Sequence, residues 1–130
     1  MVVELSYCAT PSRLKEKTEE IIKFVNTQTP YAPFHPFIAF PWESFEGNPK
    51  IGRAGAMDYC IRGIGICERF SLFGISEGTA TIELPLALKL NKPIDVFIEE
   101  FDPDWREYYI EIKKTHSALQ KDLERAGVLL

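Results

Sequence analysis

The stretch Phe73-Gly-Ile-Ser-Glu-Gly-Thr-Ala-Thr-Ile-Glu83-Leu-Pro-Leu-Ala87-Leu-Lys-Leu-Asn-Lys92-Pro93-Ile94 passes from the end of a strand through a Ser/Gly turn into a helix, then out to the next strand. The helix carries one carboxylate, Glu83, in what reads as its first turn or two. There the positive end of the helix macrodipole favours the ionised form. The turn before it, Ser76-Glu77-Gly78-Thr79, offers backbone N–H groups to an anion. Leu84, Leu86, Ala87, Leu88 and Leu90 make the helix apolar nearly all round, so it is expected to be packed on both sides. Pro85 is read in the first turns, where a missing N–H matters least. Asn91 tolerates the left-handed conformation that ends a helix.

Working outward, Val2-Val3-Glu4-Leu5-Ser6-Tyr7-Cys8-Ala9 reads as a first strand. Thr10 is placed to cap and Pro11 to occupy the first position of a helix whose apolar series is Leu14, Thr18, Ile21, Ile22 and Val25. Tyr31 to Phe40 reads as a second extended segment. Pro33 and Pro36 remove ladder donors, so it is an edge strand or one leading straight into a loop. The spacing of Ala54, Met57, Cys60, Ile61 and Ile64 predicts a helix between Ile51 and Cys67, against glycines costing about 1 kcal/mol each relative to Ala. Cys67 to Gly74 then reads as a turn and a buried third strand, and Pro93 to Glu99 as a fourth. Asp102 and Pro103 open a last helix with the stripe Trp105, Tyr108, Tyr109, Ile112, Leu119 and Leu123.

Strand and helix alternate with short connections, which implies parallel pairing with right-handed crossovers. The expected fold is a small three-layer α/β domain of the Rossmann or flavodoxin-like type, with a four- or five-stranded parallel sheet. The 130 residues fit one domain spanning 1–130. In such sheets ligands bind outside the carboxyl ends of the strands, where strand order reverses. The loops Tyr7 to Ser12, His35 to Gly47 and Ser76 to Thr79 emerge on that edge.

The composition is that of an ordinary globular chain, 45% hydrophobic and 26% charged. A net charge of −4 argues against a nucleic-acid duplex as partner, because duplex binding is dominated by neutralising phosphates with Lys and Arg. It leaves room for a nucleotide, which needs only a few donors. No charged leader precedes a long apolar run and no stretch approaches a membrane span, so a cytoplasmic location away from the membrane is expected. Cys8, Cys60 and Cys67 are odd in number and lack metal-ligand spacing, which predicts buried thiols with neither a disulfide framework nor a metal.

The sequence 78–93 is similar to a known signature. Gly78, Thr79, Glu83, Ala87 and Leu88 to Pro93 resemble the Gly-Thr-Ala-x-Glu-x-x-x-Ala-Leu-x-Leu-Gly-Lys-Pro pattern of the nucleoside 2-deoxyribosyltransferase-like superfamily. This chain has one residue more between Gly78 and Glu83 and has Asn91 where that pattern has Gly. Tyr7-Cys8-Ala9-Thr10-Pro11 resembles the Tyr-x-Ala-x-Pro with which that superfamily begins. Arg53 to Asp58 resembles an Arg-x-x-Gly-Met segment, and Cys67 to Gly74 a Cys-Asp-x-Leu-x-x-Phe-Gly segment with Glu68 for Asp.

The resemblance implies a function and a division of labour. Glu83 is expected to attack the anomeric carbon of a nucleoside or nucleoside 5′-monophosphate, cleaving or transferring at the N-glycosidic bond with no cofactor. Asp58 and Tyr7 would orient the sugar. Ala9, Pro11 and His35 would line the pocket, and Ser76, Gly78 and Thr79 would supply donors to a 5′ group. Glu77 would stand in for the Asp that related enzymes use to hold the base. Members are commonly homodimers or larger.

For several of these residues the spacing alone supports another reading. His35 sits among apolar neighbours as a hydrogen-bonded structural histidine would. Asp58 with Arg53 fits a solvated helix face. Trp42 and Phe45 suit either stacking on a base or cover of the core edge, and Glu83 could cap its own helix. The alternative function is a nucleotide-binding or sensing module on the same fold without chemistry.

Overall fold

A computed structural model describes residues 2–40 and 52–130. Four strands, β1 (Leu5–Ala9), β2 (Ala32–Phe34), β3 (Arg69–Leu72) and β4 (Ile94–Val96), form one all-parallel sheet in the order β2-β1-β3-β4. Tyr7 lies opposite Phe34 on one side and Phe70 on the other. The chain runs outward from β1 to β2, then crosses back to lay β3 along the other edge of β1. The reversal of strand order therefore falls between β1 and β3, the position at which doubly wound sheets bind ligands.

Period-two alternation assigns each face of the sheet its own core. On one face Tyr7, Ala9, Phe70 and Leu72 pack against Cys60 and Ile64 of helix α3 (Gly52–Ile66) and against Leu84 and Ala87 of helix α4 (Leu84–Lys89). On the other, Cys8 packs with Phe73, Phe101 and the Ile21 and Val25 side chains of helix α1 (Thr18–Gln28). Ser6 and Ser71, fully buried on that second face, answer each other's hydroxyls at 2.6 Å, which removes the penalty of burying them unpaired. The expected three layers are present.

Several boundaries depart from expectation for identifiable reasons. Thr10 does not cap a helix: its hydroxyl donates to the Cys8 carbonyl, and the chain enters α1 through an uncapped 3-10 helix, Ser12–Lys17. The second extended segment is only three residues long, because His35 caps the short helix α2 (Pro36–Ala39) through the Phe37 N–H. It lies at the sheet edge, where Pro33 is tolerated. The fourth strand stops at Val96 and runs into helix α5 (Ile98–Phe101). The final helical stripe is two helices, α6 (Trp105–Lys113) and α7 (Leu119–Arg125), separated where Thr115-His116-Ser117 places three poor helix formers in a row. Trp105, Tyr109, Leu119 and Leu123 are buried, whereas Tyr108 is exposed.

The helix that carries Glu83 is the most informative departure. Residues 77–89 are continuously helical, and within that run Thr79–Glu83 is a π-helical turn in which the Leu84 N–H reaches back five residues to the Thr79 carbonyl. A π turn holds one residue more than the α turn it replaces. Pro85 follows directly behind the widened turn as the second residue of α4, inside the first turn of that helix, where its missing N–H matters least. The run closes on Asn91 at φ 55, with Lys92 N–H on the Ala87 carbonyl and Asn91 N–H on that of Leu88, a left-handed C-cap in which Asn replaces the usual Gly.

Candidate functional site

A cleft of about 490 Å³, counting the space at its open mouth, lies between the loop after β1 and the turn after β3. Thr10 and Ser12 form one lip, Ser76 to Thr79 the other, and Phe37, Met57 and Cys60 the apolar wall, with Glu83 at the base. The enclosed part of the cleft is only about 80 Å³, well under the range of about 300–1,000 Å³ usual for small-molecule sites.

Glu83 is only 5% exposed, yet it faces this cleft. Its Oε2 accepts a 2.5 Å hydrogen bond from the Tyr7 hydroxyl. Its Oε1 has no donor among the described residues and is not sealed away from the cleft. Tyr7 is held in turn by stacking between Phe34 and Phe70, with ring centroids 6.0 and 5.9 Å away. One carboxylate oxygen is thus fixed from the sheet while the other is presented to the cleft.

Burial dominates the electrostatics. It raises the Glu83 carboxyl from the ordinary 4.5 to about 7, and the Tyr7 hydrogen bond only partly opposes the rise. The expectation that the helix dipole keeps this group ionised is overturned. Glu83 lies almost two turns inside the run 77–89, and the dipole acts within the first turn. The Tyr7 hydroxyl is pushed well above its ordinary value, first by burial and then by the neighbouring Glu83. The Cys60 thiol beside them is pushed up to about 12, chiefly by burial.

The turn at 76–79 is tied by its own side chains. Ser76 N–H donates to Thr79 Oγ1 at 2.9 Å, Thr79 N–H donates to Ser76 Oγ at 3.1 Å, and the Thr79 hydroxyl donates to the Gly74 carbonyl at 2.9 Å. Ser76 and Thr79 therefore shape the turn. The backbone N–H groups of Glu77 and Gly78, which have no acceptor among the described residues, are the donors it offers.

The remaining expected site residues fall into four groups. Ala9 and Pro11 are buried behind the β1 lip. His35 is also buried behind it: Nδ1 accepts the Phe37 N–H at 3.2 Å, which leaves the proton on Nε2, 3.1 Å from Thr10 Oγ1. Burial lowers its pKa to about 4, so it stays neutral and braces Thr10 as a structural histidine. Glu77 stands exposed on the rim. Asp58 is not brought to the cleft; it is half exposed and paired with Arg62 at 2.9 Å one turn along α3. Trp42 and Phe45 lie outside the described residues.

Comparison with protein-family models, curated proteins and solved structures finds no match to this chain. No cluster of three or more His, Cys, Asp or Glu able to hold a metal occurs among the described residues, and no helix there is long and apolar enough to cross a membrane. Cys8, Cys60 and Cys67 are free, buried thiols.

Sequence reasoning did not anticipate that Phe37, Met57 and Cys60 wall the cleft, although the i, i+3 spacing of the last two already placed them on one buried face. It also missed Arg13 and Asp102, which meet at 2.7 Å across eighty-nine residues of chain. No spacing rule connects them.

Proposed function

We propose that this chain cleaves or transfers at the N-glycosidic bond of a nucleoside or nucleoside 5′-monophosphate, with Glu83 as nucleophile. The observation that carries the reading is the asymmetry of its carboxylate: Oε2 held by Tyr7, Oε1 open to a cleft at the β1/β3 reversal. A nucleophile positioned within reach of an anomeric carbon needs this arrangement, one oxygen anchored and one presented.

In the step so proposed, Oε1 forms a bond to the anomeric carbon as the C–N bond breaks and its electron pair leaves with the base. Water or a second base then displaces the sugar ester and restores the carboxylate, as in retaining carboxylate glycosidases. Tyr7 donates to the ionised form and fixes its orientation, a contribution of about 1.5–3 kcal/mol for a hydrogen bond to a charged group. In this reading the Glu77 and Gly78 N–H groups on one lip, with Ser12 on the opposite lip, meet a 5′-hydroxyl or phosphate. Asp58 has no part in this scheme. A homodimer or larger assembly in the cytoplasm belongs to the same resemblance-based proposal, and sedimentation of the purified chain tests its assembly.

A non-catalytic nucleotide-binding module is the second reading, favoured by the turn itself: where the deoxyribosyltransferases it resembles have an Asp to hold the base, this chain has Ile75-Ser76-Glu77, with Ile75 fully buried and Glu77 exposed on the rim. Mass spectrometry of a nucleoside and nucleotide panel separates the two. Release of free base, abolished in Glu83→Gln, supports the glycosyl reading. Thermal stabilisation by a nucleotide without turnover supports the binding module, and an unchanged rate in Glu83→Gln removes Glu83 from the chemistry.

A further inference from the structure

Asp102 is completely buried, and its carboxylate is fully engaged. Arg13 Nη1 donates to Oδ1 and Nη2 to Oδ2, both at 2.7 Å, while the Ile75 N–H donates to Oδ2 at 2.9 Å. Arg13 Nη2 also donates to the Ile75 carbonyl at 2.5 Å. The pair thus grips both backbone polar groups of one residue. Ile75 immediately precedes Ser76, and Arg13 immediately follows Ser12. Ser76 and Ser12 belong to the two opposite lips of the cleft, yet neither Arg13 nor Asp102 lines it.

The packing shows that this closeness is built in. A Cβ on Gly74 would lie 2.8 Å from Asp102 Oδ2 and 2.8 Å from Pro11 Cγ and Cδ, so only glycine lets the three chain segments meet. The Arg13 guanidinium is backed by the Tyr108 ring, 3.6 Å from its centroid. An apolar pair could hold the same segments together, since buried ion pairs are rarely worth their desolvation. It could not fix the direction of the Ile75 N–H and carbonyl, which a bidentate fork does.

We infer that Asp102 and Arg13 are positioning residues that set the mouth of the cleft, holding the turn 75–79 at a fixed distance from the loop after β1. The kinetic part of the inference rests on the proposed glycosyl function; the positional part does not. Loss of the clamp loosens the lip that meets the substrate while leaving Glu83, which is held separately by Tyr7, in place.

The test uses the full chain as Asp102→Asn and as Arg13→Lys, read by amide hydrogen exchange and by steady-state kinetics on the nucleoside panel. Exchange at residues 75–79 is expected to quicken by about tenfold or more, with strand β1 and helix α4 still protected. KM is expected to rise about tenfold with kcat within about threefold of wild type and the pH profile unmoved. If Asp102→Asn does not fold, Arg13→Lys decides, because its side chain is partly exposed and keeps the charge while losing the fork. Unchanged protection at 75–79, protection lost evenly across the sheet, or a fall in kcat at constant KM overturns the inference. A wild-type chain that releases no base from any substrate defeats the proposed function instead, and the exchange data still decide the positional claim.

Discussion

Tyr7 and Glu83, seventy-six residues apart in the chain, meet in a 2.5 Å hydrogen bond that joins strand β1 to the π turn of the helical run after β3. Burial raises the Glu83 carboxyl to about 7, so this contact has consequences for both stability and rate.

Because the folded-state value lies above the ordinary 4.5, the fold favours the protonated acid. The contribution from Glu83 is intact below 4.5 and is lost as pH rises through about 7, by up to about 3 kcal/mol. Glu83→Gln carries no such loss. In urea unfolding it should gain about 2–3 kcal/mol relative to wild type on going from about pH 5 to about pH 8. A difference between the two proteins that does not vary with pH would show that the carboxylate is not desolvated as described.

Tyr7→Phe keeps the ring between Phe34 and Phe70 and removes only the hydroxyl. The hydrogen bond now lowers the Glu83 value, so its loss should move the acid limb of the pH–rate profile to higher pH. The rate near neutrality should fall about tenfold or more. An acid limb that stays in place would mean that the hydroxyl does not act on Glu83.

The π turn makes a prediction about chain length. Removing Ile82, a partly exposed residue inside Thr79–Glu83, should convert the widened turn into an ordinary one and leave the flanking helix in register. The shortened chain is expected to fold with Tm within about 8 °C of wild type. Removing Leu86 from the α-helical part rotates every later residue and should abolish folding. Equal damage from the two deletions, measured by circular dichroism melting, would refute the assignment of the extra residue to the π turn.

Asn91 reports on local strain. At φ 55, Asn91→Gly should be neutral or slightly stabilising, whereas Asn91→Ala should cost about 1 kcal/mol by denaturant titration. The opposite order would place the cap elsewhere.

These residues also show what a sequence can carry. The first strand, the buried stripe of α1, the α3 helix and the Asn91 cap all follow from local periodicity and backbone preference, which operate within a few residues. The π turn at Thr79–Glu83 was not legible, because the residue types there fit an ordinary helical turn equally well. The short second strand, the break between α6 and α7, and the clamp of Arg13 on Asp102 depend on partners tens of residues away. The reversed sign for Glu83 has the same origin. Its place in a helix suggested ionisation, but the strand beneath it and the α3 wall remove the water that ionisation requires.

The most direct test of Glu83 as nucleophile is intact-mass and peptide mass spectrometry after incubation with 2′-fluoro-2′-deoxynucleosides, whose electron-poor sugar slows hydrolysis of a glycosyl ester. The account predicts a mass gain equal to one fluorosugar, carried by the peptide containing Glu83 and absent from Glu83→Gln. Release of base with no adduct at Glu83, at an equal rate in Glu83→Gln, would contradict it.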